Sequence, residues 1–277
     1  MGLKLTIKEA LKLKNGSYIL EKLLNKDKAW LFLNDELEVP SEFFKIYEKV
    51  KRGYPIEYIF NEVEFYGKKY YVKEGVLIPR DDTEVIVERA LKLLDEELKV
   101  KSKKFKINEK LNVKNEKLEI NNEKLKIVDC CTGSGVIAIT IKQYFPDIEV
   151  VATDISDKAI EVAKKNAKLH NVDIKFKKCN LFDEKGDILI SNPPYVENSY
   201  PKPNDYEPDI AFYGGVDGLD IVREIILRAK NLEYKYAIIE IGYNQKENLS
   251  KFLEDKVKEY EFFKDLARNI RGVEIKF

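Results

Sequence analysis

The chain has 277 residues, enough to bury a sizeable core as one large domain or as a large and a small one. Lys plus Arg and Asp plus Glu both number 49, so the formal net charge is zero in a chain that is 35% charged, which argues against a generic nucleic-acid binder with its basic excess. No apolar run approaches the ~18 residues of a membrane span and the N-terminus lacks a signal-peptide layout, so a soluble, cytoplasmic protein with no membrane contact is expected.

Residues 1–60 predict a small helical domain. "TIKEALKLKNG", "SYILEKLLNK" and "SEFFKIYEKVKRG" carry apolar residues at three- and four-residue spacing and close near Gly16 and Gly53. "EVEFYGKKYYVKEGVLIP" then alternates aromatic and polar residues around Gly67 and Gly75, which predicts a hairpin linker over 61–79. A larger domain is expected over 80–277. It opens on "DDTEVIVERALKLLDEELK", with Asp82 or Thr83 as N-cap, acidic residues in the first turn and an apolar stripe.

Over 99–124 the composition shifts to Lys, Glu and Asn, and Asn-Glu-Lys-Leu recurs at 108, 115 and 122. Asn is a poor helix former, so this insertion reads either as a solvated, partly disordered segment or as a helical or β protrusion. Beyond it strands and helices alternate: "KLKIVDCC", "GVIAITIKQYF", "IEVVATDI", "SDKAIEVAKKNAKLH", "VDIKFKKCN", "DILISNPPY", "GLDIVREIILRAKNL", "YAIIEIG", "NQKENLSKFLED", and a closing hairpin in "YEFFKDLARNIRGVEIKF". The expected fold is α/β and Rossmann-like, a mostly parallel, doubly wound sheet with helices on both faces and ligands at the carboxyl ends of the strands.

Two motifs carry chemistry. The first strand of this region runs through Asp129-Cys130-Cys131-Thr132-Gly133-Ser134-Gly135 into a helix, where glycines admit close backbone approach and a helix start offers free N–H groups. Asp154 closes the next strand, where a carboxylate can accept both hydroxyls of a ribose. Together they suggest an adenosine-containing cofactor. A dinucleotide fingerprint would want a third small residue where Ile137 and Ala138 stand. The three cysteines, Cys130, Cys131 and Cys179, match neither a zinc spacing nor a disulfide framework, and no metal is expected.

The second motif, Asn192-Pro193-Pro194-Tyr195 after the fourth strand, resembles the signature of class I S-adenosylmethionine-dependent methyltransferases that alkylate amide or amino nitrogens. Such a nitrogen is a poor nucleophile because its lone pair is delocalised. If the Asn192 side-chain oxygen takes one N–H and the Pro193 carbonyl the other, the NH₂ is held and its lone pair is turned toward the methyl. Pro194 keeps the residue before it extended, and Tyr195 can stack on the flat group.

Nearly the whole chain resembles the HemK/PrmC family of protein-(glutamine-N5) methyltransferases, which modify the Gly-Gly-Gln glutamine of peptide chain release factors. "RGYPIEYIFNEVEFYG", "VLIPRDDTEVIVE", "NPPYVEN", "YEPDIAFYGGVDGLDIVREII", "IIEIGYNQ" and "FKDLARNIRGV" each match a family segment. The resemblance implies that Cys131, Thr132, Gly133, Ser134 and Gly135 wrap the methionine part of S-adenosylmethionine, which is left as S-adenosylhomocysteine. Asp154 would take the ribose, Asn180 and Leu181 would flank the adenine, and Asn192 would face cofactor and substrate. Asn192, Pro193, Pro194 and Tyr195 would hold the glutamine amide while the N-terminal helices clasp the release factor. A monomer with no direct nucleic-acid contact is expected. This chain departs from the family in having Cys131 where Gly is usual and Asn180 where Asp is common.

Other residues read more plainly. His170, the only histidine, suits a helix end, and no general base is needed because the nitrogen loses its proton after gaining the methyl. Glu240 could support the site or be structural. Arg80 and Thr83 could border the cofactor, or brace the domain junction and cap a helix. Three rivals remain: a ribosomal-protein glutamine N5-methyltransferase, which typically lacks the Asp-Thr-Glu ending of the Ile-Pro-Arg block; an adenine-N6 DNA methyltransferase, which would want a basic recognition region; and a catalytically silent cofactor-binding module.

Overall fold

The structure, a computed structural model, describes residues 4–110 and 124–277. The chain divides into two compact units, Met1–Glu62 and Val63–Phe277, with the aromatic hairpin inside the second.

The first unit is helical: α1 (Ile7–Ala10), α2 (Gly16–Leu24), α3 (Lys28–Leu33), α4 (Ser41–Lys51) and α5 (Ile56–Phe60). Ile7, Ala10, Ile19, Leu20, Leu31 and Phe43 form its core. A capping box of Thr6 and Glu9 starts α1. The apolar spacing of 6–16 predicts one longer helix closing at Gly16, yet α1 stops at Ala10 and Gly16 instead begins α2. A Cβ at Gly16 would lie 1.8 Å from the Ala10 carbonyl oxygen, so this close crossing of α1 and α2 admits no side chain there. Phe32, Leu33 and Leu37 are left exposed beside one another in sequence.

The second unit opens with the hairpin β1 (Val63–Phe65) and β2 (Lys68–Tyr70) and a 3-10 turn at Asp81–Thr83, and continues into α6 (Glu84–Lys110). The helix therefore enters the Lys/Glu/Asn-rich segment, whose Lys and Glu are good helix formers. Residues 111–123 of that segment lie outside the described residues. There follow β3 (Lys126–Cys130), α7 (Val136–Tyr144), β4 (Glu149–Asp154), α8 (Asp157–Leu169), β5 (Lys175–Lys178), β6 (Ile188–Ser191), α9 (Asp220–Asn231), β7 (Tyr236–Glu240), α10 (Lys246–Leu253), β8 (Glu259–Lys264) and β9 (Ile270–Lys276).

Among the described residues the main sheet has seven strands in the order β5-β4-β3-β6-β7-β9-β8. Strands β5, β4, β3, β6 and β7 are parallel, and the closing hairpin β8–β9 adds antiparallel to β7. Alternate residues of the central strands feed two cores. Ile127, Val150, Ala152, Ile190 and Ile238 meet α6 and α7, while Val128, Val151, Leu189 and Ile239 meet α9 and α10. Helix α9 places Val222, Ile225, Ile226 and Ala229 on its buried face at the spacing an amphipathic helix requires. Burial on both faces is why these strands read as continuous apolar runs.

Asn166 is a polar exception on α8. Its fully buried amide accepts from the Tyr71 N–H at 2.7 Å and donates to the carbonyls of Tyr71 and Ser134, both at 2.9 Å, tying the segment after the hairpin to the turn before α7. Asn166→Ala removes three hydrogen bonds and strands buried backbone groups, so it should lower stability by about 2–4 kcal/mol. Urea denaturation is the check, and a change under about 0.5 kcal/mol, the size typical of surface substitutions, would show that water replaces the amide.

Candidate active site

The parallel register builds the site. Cys130 pairs with Thr153 on one side and Ser191 on the other, and Ser191 pairs with Ile239. The next residue of each strand or its extension, Cys131, Asp154, Asn192 and Glu240, therefore emerges at one carboxyl edge. The chain order reverses at β3, whose neighbours are β4 and β6, and such a reversal opens a crevice at that edge.

In the turn after β3, Cys131 and Gly133 are both left-handed, at φ 60° and 55°, and Gly135 follows at φ 85° before α7 begins. Buried Asp129 stiffens the turn from below: its Oδ2 accepts from the Thr132 hydroxyl at 2.6 Å and the Ala138 N–H at 3.2 Å. Desolvation pushes the Asp129 carboxyl up to about 7, and its Oδ1 has no partner among the described residues. The Cys131 thiol lies 3.7 Å from that of Cys130 and forms part of the cavity wall.

Asp154 accepts from the Gly133 N–H through Oδ2 and from the Ser156 N–H through Oδ1, both at 2.9 Å. Each oxygen keeps a lone pair for a further donor. Burial raises this carboxyl above its ordinary range, while the backbone donors oppose the shift. Asn180 and Leu181 follow β5. Asn180 is exposed, with its carbonyl taking a bond from Arg228, and Leu181 is buried at φ 57°.

These residues line a cavity of about 220 Å³ in which Cys131, Gly133, Asp154, Asn180, Leu181 and Asn192 meet. Thr132, Ser134 and Gly135 belong to the same turn, but they support it rather than face the cavity. Two loops that the sequence reading passed over complete the wall, Gly75 to Leu77 and Pro208 to Ala211. Buried Glu207 locks them together, accepting from the Ile78 N–H, the Arg80 guanidinium and the Asn204 amide. Arg80 thus braces one loop against another. A faint signal was present in "YEPDI", where Glu207 stands between an aromatic residue and a proline.

A smaller cavity of about 80 Å³ adjoins it, lined by Arg80, Asn192, Pro193, Tyr195, Phe212 and Glu240. Asn192 borders both. Its Nδ2 donates to the Thr83 hydroxyl at 3.0 Å, which leaves the amide oxygen as the group available to a ligand. The Tyr195 hydroxyl donates to Glu240 Oε1 at 2.9 Å. Burial and the neighbouring Glu240 raise the Tyr195 phenol far above its usual range, so it stays a donor. Arg271 stands behind this pair and is itself held by Asp82 at 2.8 Å and Asp265 at 2.9 Å.

The backbone of the tetrapeptide is clamped as well. Gln245 Nε2 donates to the Tyr195 carbonyl at 2.7 Å and the Asp217 carbonyl at 3.0 Å. Gly218, at φ 73°, passes so near that a Cβ there would lie 2.1 Å from the Tyr195 oxygen. His170 sits elsewhere: it caps the end of α8, bonds the Lys69 carbonyl at 3.0 Å and packs on Tyr70.

Residues 111–204 match the family described as the methyltransferase small domain. The chain is 36% identical over 281 residues to a release factor glutamine methyltransferase of Clostridium acetobutylicum, covering 94% of this chain and 90% of that one. It is 31% identical over 284 residues to the release factor glutamine methyltransferase of Clostridium botulinum, covering 93% and 92%. A third such protein, from Fusobacterium nucleatum, is 34% identical over 220 residues, covering 75% of this chain and 55% of the other.

Glu240 carries the sharpest electrostatic consequence. Desolvation pushes its carboxyl from 4.5 up to about 7, against the nearby Thr83 hydroxyl, the hydrogen bond from Tyr195 and the positive Arg271, all of which lower it. Between pH 4.5 and 7 the native state holds a proton that the unfolded chain has released, so this residue's contribution to stability falls as pH rises through that window. Glu240→Gln should therefore gain stability relative to wild type at pH 8 compared with pH 5. Denaturation curves at the two pH values test this; an equal difference at both would mean that Glu240 titrates in its ordinary range.

Proposed function

Because the chain belongs to the release factor glutamine methyltransferase family, we propose how its own residues divide the reaction. The enzyme methylates the side-chain amide nitrogen, N5, of a release-factor glutamine with S-adenosylmethionine as donor. The observation that carries the assignment of roles is Asn192, placed between two cavities with its NH₂ already engaged by Thr83.

The larger cavity suits the cofactor. Asp154 has acceptor capacity for two ribose hydroxyls, Leu181, Ile155 and Ala159 offer apolar surface to a purine, and Cys131 and Gly133 lie where the methionine part would pass. Bound there, S-adenosylmethionine supplies an electrophilic methyl on a sulfonium and is left as S-adenosylhomocysteine. The smaller cavity takes the glutamine side chain. The Asn192 oxygen and the Pro193 carbonyl accept its two N–H groups, and the Tyr195 ring covers its flat face. This orients the nitrogen lone pair at the methyl, and orientation is worth on the order of 10²-fold in rate. The methylated nitrogen then gives one proton to water, so no side chain serves as base.

We read the target as the glutamine of Gly-Gly-Gln. Met1–Glu62 serves as the docking unit, supported by the exposed Phe32, Leu33 and Leu37. No described helix is long and apolar enough to cross a membrane. The working protein is taken to be a cytoplasmic monomer that contacts the release factor and not the nucleic acid around it.

Incubation with methyl-labelled S-adenosylmethionine should label a release factor and leave its Gly-Gly-Gln Gln-to-Ala form unlabelled. Asn192→Ala should reduce that turnover by about 100-fold with the fold intact. Label on both factors, or on neither, would remove the substrate assignment.

Asp154→Ala should weaken S-adenosylmethionine binding by about 1.5–3 kcal/mol, the range for hydrogen bonds to a charged group. Calorimetry that finds unchanged affinity would take Asp154 out of the ribose site.

A further inference from the structure

The two cavities share a roof. Leu77, from the loop that follows the aromatic hairpin, and Ala211, from the loop that follows the tetrapeptide, line the larger cavity and the smaller one alike. These loops are distant in sequence, and one side chain joins them. Glu207, 2% exposed and 129 residues from Ile78, accepts the Ile78 N–H on Oε2 at 3.1 Å; its Oε1 accepts from the Arg80 guanidinium at 2.5 Å and the Asn204 amide at 2.9 Å.

Each of these three partners is a donor. The Asn204 amide has its oxygen occupied by the N–H groups of Tyr206 and Glu207, at 2.9 and 3.0 Å, so its NH₂ is the end that faces the carboxyl. A backbone N–H and a guanidinium have nothing to accept with. Both oxygens at position 207 must therefore accept, which a carboxylate does and an amide of the same shape does on one side only. The second loop is fixed at its far end too. Just beyond Tyr195, the Val196 N–H donates to the Phe212 carbonyl and the Gly214 N–H to the Val196 carbonyl, both at 2.9 Å. The roof is thus registered to the tetrapeptide at one end and to the first loop, through Glu207, at the other.

Resting on the placement of S-adenosylmethionine in the larger cavity and the glutamine in the smaller, we infer that Glu207 is a positioning residue for methyl transfer: it holds two loops as one roof, and so sets both the affinity for the cofactor and the aim of the glutamine while lining neither cavity. A wall that is already formed spares a ligand the entropy of ordering it. Stability alone does not call for a buried acid here, since apolar packing serves that end as well as a buried ion pair does. Fixed donors on both oxygens instead set the loops at one spacing.

Glu207→Gln keeps the shape and loses one acceptor. It should weaken S-adenosylmethionine binding by about 5- to 20-fold, the cost of ordering a loosened wall, as read by calorimetry at a temperature where circular dichroism shows the variant folded. Arg80→Ala cuts the same bond from its outer side, where the Arg80 side chain is 42% exposed, and decides the question should Glu207→Gln not fold. Arg80 lines only the smaller cavity, so its effect on cofactor affinity, about 3- to 10-fold, must pass through the roof. Combined, the two changes should cost less than the product of the single losses. At saturating cofactor Glu207→Gln should still turn over a release factor about 10-fold more slowly, because the glutamine keeps a loosened wall, whereas a residue that served stability alone would be restored by bound cofactor. Affinity within about twofold of wild type in both single variants, losses that multiply in the double variant, or wild-type kcat at saturating cofactor would overturn the shared roof. Asp154→Ala separates this from the cofactor assignment: affinity unchanged there and in the roof variants removes the cofactor from the larger cavity, and affinity lost there alone removes the roof. A wild type that binds S-adenosylmethionine and labels no release factor fails the substrate assignment only, and the affinities still decide the roof.

Discussion

Everything at the site depends on the in-register ending of parallel strands. Because Cys130, Thr153 and Ser191 lie side by side, with Ile239 next to Ser191, the chain leaves the sheet at the same level in β3, β4, β6 and β7. Side chains period two along a strand, so a slip of one residue in β6 would send Asn192 to the wrong face and bring Ser191 to the edge. The apolar alternation that feeds the two cores is what forbids that slip. Ile190 serves the core under α6 and α7 while Leu189 serves the core under α9 and α10, and neither could exchange without exposing a large side chain or burying a polar one. The geometry of this edge is thus set by hydrophobic packing some distance below it.

The same edge concentrates buried acids. Asp129, Asp154 and Glu240 are all raised above the ordinary carboxyl range by desolvation. Each accepts from fixed donors: a hydroxyl and a backbone N–H for Asp129, two backbone N–H groups for Asp154, and the Tyr195 hydroxyl for Glu240, while Asp129 Oδ1 and Glu240 Oε2 have no partner among the described residues. A polar frame of this kind needs no reorganisation when a ligand arrives, which is the form of electrostatic assistance that a rigid site can give. It also opposes stability above neutral pH, so the acids serve the site at the expense of the fold.

The doubly wound sheet is legible in the sequence because strands buried on both faces leave unbroken apolar runs, and helices such as α9 leave an unmistakable stripe. Asn192 to Tyr195 is legible for a different reason: two prolines directly after an apolar run have few structural explanations. What escapes reading is contact between distant positions. Nothing periodic marks Asn166 as the tie between Tyr71 and Ser134, or Thr83 as the neighbour of Asn192, or Glu207 as the lock on Arg80. The short helices α3 and α5 escape too, since six and five residues hold less than two full turns of pattern. Gly16 misleads by signalling a helix end where the structure uses its missing Cβ for a crossing.

Cys131 shows how such distant contacts settle a local question. A left-handed backbone costs a non-glycine residue roughly 1–2 kcal/mol, and the cavity has two of them, Cys131 at φ 60° and Leu181 at φ 57°. Both are held from the end of β4 by one buried residue. The Thr153 carbonyl accepts the N–H of Thr132, immediately after Cys131, at 2.9 Å, and the Thr153 hydroxyl donates to the Leu181 carbonyl at 2.6 Å. The hydrogen bonds that Thr153 makes on either side thus offset the strain at two separate turns. A side chain at 131 is therefore compatible with the turn: its backbone is set by β4, and its thiol is turned against Cys130 as wall rather than obstruction. A cysteine at this position changes the lining of the larger cavity and leaves the path of the chain around it intact.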